Sequence, residues 1–113
     1  VYVQVEAPDE AGHEKNAALK VSCIEDLDRR LVQRILDGLE ARGIEAVIAI
    51  LPDHPTPITV GTHTRDPVPV AIYDPRLPPD EVSRFDEESV KVGALGILQG
   101  AEFIEMVVVG SRK

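Results

Sequence analysis

Apolar positions along the 113-residue chain fall into segments of different period. Val1-Tyr2-Val3-Gln4-Val5-Glu6 alternates apolar and polar side chains and is rich in β-branched residues, which predicts a strand from the first residue. With no lead-in and no initiator methionine, the expected start is in mid-fold. Pro8 ends the extended run, and Ala7–His13 reads as a loop in which Gly12 frees the backbone beside the histidine. From Asn16 to Arg42, Leu19, Cys23, Leu27, Leu31, Ile35 and Leu39 recur every four residues and Ile24 and Leu36 widen the stripe, which predicts an amphipathic helix. Gly43 supplies its stop.

The run from Ile44 to Leu51 is almost continuously apolar, as in a strand covered on both faces. Strand, helix and strand in that order form the unit of a parallel sheet with a right-handed crossover. A short extended piece is expected over Ile58–Val60, and a third strand over Val68–Tyr73, at an edge or starting late because of Pro67 and Pro69. Asp74–Asp80 reads as a surface loop. Asp86-Glu87-Glu88 can open a helical turn, and Gly100–Val109 has the spacing of a final helix. The predicted class is α/β, a mostly parallel sheet with flanking helices around a real core.

Composition narrows the partners. Twelve Lys and Arg against 20 Asp and Glu leave a net charge of −8, and there are only two Tyr, two Phe and no Trp. A nucleic-acid binder needs the opposite charge and rings for stacking, so nucleic acid is not an expected partner. No apolar run approaches the roughly 18 to 20 residues that cross a bilayer, and no signal peptide is legible, so no membrane partner is expected and the expected compartment is the cytoplasm. Cys23 is the single cysteine, and it reads as a small buried hydrophobe.

The chemistry lies with three histidines, His13, His54 and His63, each in a segment read as a loop, and two have an aspartate close by: Asp9-x-x-x-His13 and Asp53-His54. Ligands collect at the carboxyl ends of strands in open α/β sheets, so parallel strands would bring Asp9 and Asp53 to one edge. Imidazole with carboxylate suits zinc, manganese or cobalt, and five such donors exceed one tetrahedral site, which favours two metals sharing the loops. Singly, each pair reads as a solvated turn, and it is the three histidines together that favour a metal site. Glu10 and Glu14 read as supporting or solvent-facing. Arg65 offers a guanidinium fork to a substrate phosphate or pairs with Asp66. Ser22, Ser83, Ser89 and Ser111 lack a neighbouring base, and no Gly-x-x-x-x-Gly-Lys or Gly-x-Gly-x-x-Gly loop is present.

Val5-Glu6-Ala7-Pro8-Asp9-Glu10-Ala11-Gly12-His13, Leu51-Pro52-Asp53-His54-Pro55-Thr56-Pro57 and Thr62-His63-Thr64-Arg65-Asp66-Pro67-Val68-Pro69 closely resemble the last third of the 2,3-bisphosphoglycerate-independent phosphoglycerate mutases. The branch resembled is the archaeal type, within the alkaline phosphatase superfamily. Phe85-Asp86-Glu87-Glu88-Ser89 and Gly93-Ala94-Leu95-Gly96 extend the resemblance toward the end of the chain.

The resemblance implies a part of an alkaline-phosphatase-like three-layer sandwich, with residues 1–113 as the C-terminal portion of the metalloenzyme domain. It implies two divalent ions (manganese, zinc, cobalt or magnesium), one on Asp9, His13 and His63 and the second with help from Asp53 and His54. It implies phosphoryl transfer from 3-phosphoglycerate to an enzyme serine and back to give 2-phosphoglycerate, with no bisphosphoglycerate cofactor. The nucleophilic serine, a further metal-binding aspartate and most substrate-binding arginines are expected in an N-terminal segment and an inserted domain beyond this chain, which alone would be inactive. Glu14-Lys15-Asn16 departs from the family, where Gly and Asp are usual after the histidine, and this bears on loop shape. Two other readings stay open: a homoserine kinase with the same fold and metals, and a non-catalytic, self-associating module whose uncovered sheet favours dimers.

Overall fold

The computed structural model describes Val1–Val108; Val109, the end of the predicted last helix, and Ser111 lie outside the described residues. The chain divides into two compact units: Val1–Ile44 with His54–Pro67, and Glu45–Asp53 with the chain from Val68 onward.

The first unit is helical. Helix α1 covers Ala7–His13 and α2 covers Ala17–Leu27; a π-helical turn, Asp28–Val32, joins α2 to α3, Gln33–Ala41. The long predicted helix is therefore present, with Asn16 as its N-cap, its side chain accepting from the Leu19 N–H at 3.0 Å. It ends as expected at Gly43, where φ is +63° and the Gly43 and Ile44 N–H groups return to the Glu40 and Leu39 carbonyls. The π-turn was not expected. The Gln33 N–H bonds to the Asp28 carbonyl, five residues back. Leucines spaced strictly by four drift about 40° per step around an ideal helix, and a turn wound more slowly takes back part of that drift.

Three expectations for this unit are corrected. Val1–Glu6 forms no strand and is exposed, because alternation makes a strand only where a neighbouring backbone takes its hydrogen bonds. Ala7–His13 is a helix rather than a loop: Pro8 sits in its first turn, where a missing N–H costs nothing, with Asp9 and Glu10 there and His13 in the last turn, all as the dipole favours. Similarly, the extended piece expected at Ile58–Val60 is a turn, with the Val60 and Gly61 N–H groups bonded to the Pro57 carbonyl.

Helix α1 is followed, after its C-cap Glu14, by Lys15, whose φ of +56° is in the left-handed region. The Lys15 and Asn16 N–H groups bond to the Gly12 and Ala11 carbonyls, which makes Lys15 the residue where glycine is preferred. Lys15→Gly is expected to raise stability by about 0.5–1 kcal/mol, the relief of a left-handed side chain outweighing the looser unfolded chain. A shift of the denaturation midpoint to lower denaturant would contradict it.

The second unit holds the sheet. Strand β1, Ile48–Ile50, pairs with β2, Ala71–Tyr73, in register Ile48↔Tyr73, Ala49↔Ile72 and Ile50↔Ala71. The pairing is antiparallel, not parallel as expected. Parallel neighbours need a crossover, usually a helix, and the chain between these strands is loop and turn. β2 starts late, directly after Val70 and the buried Pro69. Beyond it come a 3₁₀ turn at Ser89–Val92 and helix α4, Gly100–Val108, whose Glu102 side chain accepts from the Gln99 N–H at 2.9 Å. Asp86 caps the 3₁₀ turn by accepting from the Ser89 N–H at 2.7 Å, close to where the helical turn was expected.

The expected real core is also corrected. Among the described residues the buried apolar side chains are the small Ala11 and Pro69, while Leu19, Ile24, Ile35 and Leu36 of the helix stripe are exposed and Cys23 is half-buried. Two small units each have too much surface for their volume to enclose a large side chain completely. No helix among the described residues is long and apolar enough to cross a membrane.

Polar ties do part of the work instead. The Asp74 side chain, 6% exposed, accepts from the Arg76 backbone N–H at 3.0 Å and from its Nε and Nη2 at 2.9 and 2.7 Å. The Arg76 side chain and then its backbone N–H lower the Asp74 pKa from 3.8 to about 2. A carboxyl depressed on folding stabilises the native state above its unfolded pKa and loses that contribution as pH falls through the folded value. Stability should therefore decline between pH 3.8 and about 2, and Asp74→Asn should flatten that part of a pH–stability profile; an unchanged profile would contradict it.

Candidate metal centre

The centre forms where α1 meets the turn from His54 to His63, all within the first unit. Asp9 and His13 are four residues apart on α1 and so share one helix face. His63 reaches the same point from the far end of the turn. Gly61 there has φ +77°, and a Cβ on it would lie 2.6 Å from Lys15 Cε. Only glycine lets the lysine stem lie across this corner.

Asp9 Oδ1 lies 3.4 Å from His13 Nε2 and 3.3 Å from His63 Nε2, and the two Nε2 atoms are 3.2 Å apart. Ligand atoms about 2.0–2.1 Å from a zinc-sized ion are separated by about 3.3–3.4 Å along a tetrahedral edge. The triangle has nearly the dimensions of one tetrahedral face. Its side chains are 36–49% exposed, so the open fourth direction is accessible from solvent.

Proton placement agrees with a donor set. His13 Nδ1 is 3.0 Å from the Gly61 carbonyl, which can only accept, so the imidazole carries its proton on Nδ1 and its lone pair on Nε2. A second partner that fixes the tautomer in this way is the usual support for a ligating histidine. The Asp9 carboxyl is held below its ordinary value, chiefly by the Thr56 hydroxyl, which donates to Oδ1 at 2.7 Å, with the imidazoles of His13, His63 and His54 adding to the effect against partial desolvation. It is ionised at neutral pH.

His54 stands beside this triangle, its ring 3.5 Å from that of His63 between centroids and inclined by 31°. Its Nδ1 is 3.2 Å from Thr56 Oγ1. The structure thus brings Asp9, His13, His54 and His63 together. Asp53 is exposed and belongs to the second unit, although it directly precedes His54 in the chain. Arg65 is exposed as well, and Asp66 takes its hydrogen bond from Thr64 Oγ1 at 2.9 Å. Both Glu10 and Glu14 face solvent.

Sequence reasoning missed Thr56, which is 4% exposed at the middle of the turn. Besides its two hydroxyl contacts, its carbonyl accepts from Lys20 Nζ of α2 at 2.7 Å. It also missed the reason for Gly12: a Cβ there would lie 2.5 Å from the Thr56 carbonyl oxygen. The contiguous motif Asp53-His54-Pro55-Thr56 was the available signal, since a threonine two residues from a ligand can bond the ligand's ring.

The profile of the metalloenzyme superfamily matches residues 1–108. This chain belongs to the metalloenzyme superfamily. Among curated superfamily relatives, the 2,3-bisphosphoglycerate-independent phosphoglycerate mutase of Methanosarcina acetivorans is 53% identical over 109 residues, 96% of this chain and 28% of that protein. The enzyme of the same name from Methanopyrus kandleri is 42% identical over 107 residues, 95% of this chain and 25% of that protein. A solved structure, that of the PH0037 protein from Pyrococcus horikoshii, superposes with a TM-score of 0.79 at 36% identity, covering 88% of this chain and 29% of that one. This metalloenzyme chain thus spans 28% of the length of its mutase relative from M. acetivorans.

Proposed function

We propose that this chain carries the metal-binding part of a cofactor-independent phosphoglycerate mutase, which interconverts 3- and 2-phosphoglycerate through a phosphoserine. The observation that carries the proposal is the triangle of Asp9 Oδ1, His13 Nε2 and His63 Nε2, with edges of 3.2–3.4 Å, in a chain so similar to enzymes of that name. In this reading Asp9, His13 and His63 hold one divalent ion, and His54 with Asp53 helps to hold a second. Imidazole and carboxylate donors suit manganese, zinc or cobalt better than calcium. An ion bound there supplies positive charge to an incoming phosphoryl group and to the attacking hydroxyl.

The chain's own residues hold the donors in place. His13 donates through Nδ1 to Gly61, so its Nε2 stays aimed at Asp9, and the Thr56 hydroxyl orients the Asp9 carboxylate. Ser89 Oγ is engaged with Asp86 at 2.9 Å, so the reading takes the nucleophilic serine from a segment outside these residues. It also makes the chain a C-terminal portion of the metalloenzyme domain, within an alkaline-phosphatase-like sandwich.

The test is an assay of the full-length protein with manganese and 3-phosphoglycerate, without bisphosphoglycerate. Formation of 2-phosphoglycerate is the expected result. No turnover, with phosphorylation of homoserine from ATP in a parallel assay, would replace the mutase reading with the kinase.

A further inference from the structure

We propose that Thr56 is a positioning residue whose single hydroxyl couples the ligand Asp9 to His54 and fixes the imidazole proton of His54 on Nδ1. The argument is one of proton counting. A threonine hydroxyl has one proton to give and two lone pairs to receive. Thr56 Oγ1 is 2.7 Å from Asp9 Oδ1, and an ionised carboxylate can only accept, so the hydroxyl proton goes to Asp9. His54 Nδ1, 3.2 Å from the same oxygen, must then be the donor of that second contact. The Pro55 carbonyl, 3.4 Å from Nδ1 and also an acceptor only, points the same way. In the neutral form of the ring this places the lone pair on Nε2, the form in which an imidazole binds a metal.

The position of the hydroxyl is itself secured from several sides. Thr56 is almost wholly buried, its carbonyl is tied to Lys20 Nζ, and its backbone and side chain press on Gly12 of α1. Asp9 and His54 are 45 positions apart in the sequence, and one hydroxyl sets the orientation of the first and the tautomer of the second. In the two-metal reading proposed above these residues serve different ions, so Thr56 would link the two sites. That consequence rests on the metal reading; the proton assignment does not.

The experiment uses the full-length protein with ring-¹⁵N-labelled histidine, together with zinc titration by calorimetry, for the wild type, Thr56→Val and Thr56→Ser. Valine keeps the shape and removes the hydroxyl, whereas serine keeps the hydroxyl. The metal-free wild type is expected to show His54 as the Nδ1–H tautomer. Thr56→Val should move His54 toward a mixture with Nε2–H and weaken zinc binding about 10- to 100-fold, the usual effect of losing a partner behind the ligands. Thr56→Ser should keep the wild-type tautomer and bind zinc within a few-fold of it. An Nε2–H tautomer in the wild type would overturn the proposal without need of any variant. So would a valine variant with unchanged tautomer and affinity, or a serine variant as impaired as the valine one. A wild type that takes up no zinc would instead refute the metal reading, while the tautomer comparison would still decide the role of Thr56.

Discussion

Replacing His13 with alanine should weaken zinc or manganese binding at the Asp9 site by at least about 100-fold, because removing a donor should cost no less than the 10- to 100-fold typical of removing its supporting partner. That factor corresponds to about 2.7 kcal/mol of binding free energy. Two losses combine at this position. One corner of the triangle disappears, leaving Asp9 Oδ1 and His63 Nε2 at 3.3 Å. The bond from His13 Nδ1 to the Gly61 carbonyl disappears too, and it is a direct tie between α1 and the turn that delivers His63. The effect should therefore exceed that of Arg65→Ala, an exposed side chain in the same unit that should leave the isotherm unchanged. Calorimetric titration of the full-length protein and both variants measures the difference. Superimposable isotherms for the wild type and His13→Ala would remove the Asp9, His13, His63 assignment.

The site was legible in its residue types and only partly in its geometry. Asp9, His13, Asp53, His54 and His63 were expected to meet because strands were expected to deliver them to one sheet edge; Asp53 falls in the other unit and is not among those brought together. The other four do meet, but by another route: Asp9 and His13 sit one helical turn apart on α1, and a turn folds His54 and His63 against that face. The sequence carried the signal for this helix. Pro8 before Asp9-Glu10 is the start of a helix and the spacing of Asp9 to His13 is a helical one, but the alternation in Val1–Glu6 drew the first segment toward a strand. Alternation states which face is apolar. It does not supply the neighbouring backbone that a strand requires.

The long helix was legible because its signals are local: a capping asparagine, leucines at helical spacing and a terminal glycine. The orientation of the β1–β2 pair was not, since it depends on whether the intervening chain crosses over, and prolines at 52, 55, 57, 67 and 69 break that chain into turns. Thr56 was legible only in its local contact to His54, and the rest of its role was hidden for a similar reason. Its other partners Asp9, Gly12 and Lys20 lie 36 to 47 positions away, and no local pattern announces those.

Gly12→Ala should damage both stability and metal binding, although alanine is the better helix former. Within a helix the change from glycine to alanine gains about 1 kcal/mol. Against this, the new Cβ would stand 2.5 Å from the Thr56 carbonyl oxygen, 3.0 Å from its Cγ2 and 3.1 Å from its Cβ. The carbonyl cannot easily retreat, because Lys20 Nζ holds it at 2.7 Å and Thr56 is buried. Overpacking of this kind typically costs about 1–3 kcal/mol, so the steric term cancels the propensity gain and in the upper half of its range exceeds it clearly. The larger consequence is geometric. If α1 and the turn separate by a few tenths of an ångström, the Thr56–Asp9 bond of 2.7 Å and the triangle it steadies both lengthen. Zinc affinity should fall at least about tenfold even if the helix content of the far-ultraviolet spectrum is unchanged, as for loss of a supporting contact behind a ligand. A variant that binds zinc like the wild type and denatures at higher denaturant would show that helix propensity wins here, and that the close approach of α1 to Thr56 is not what holds the donors together.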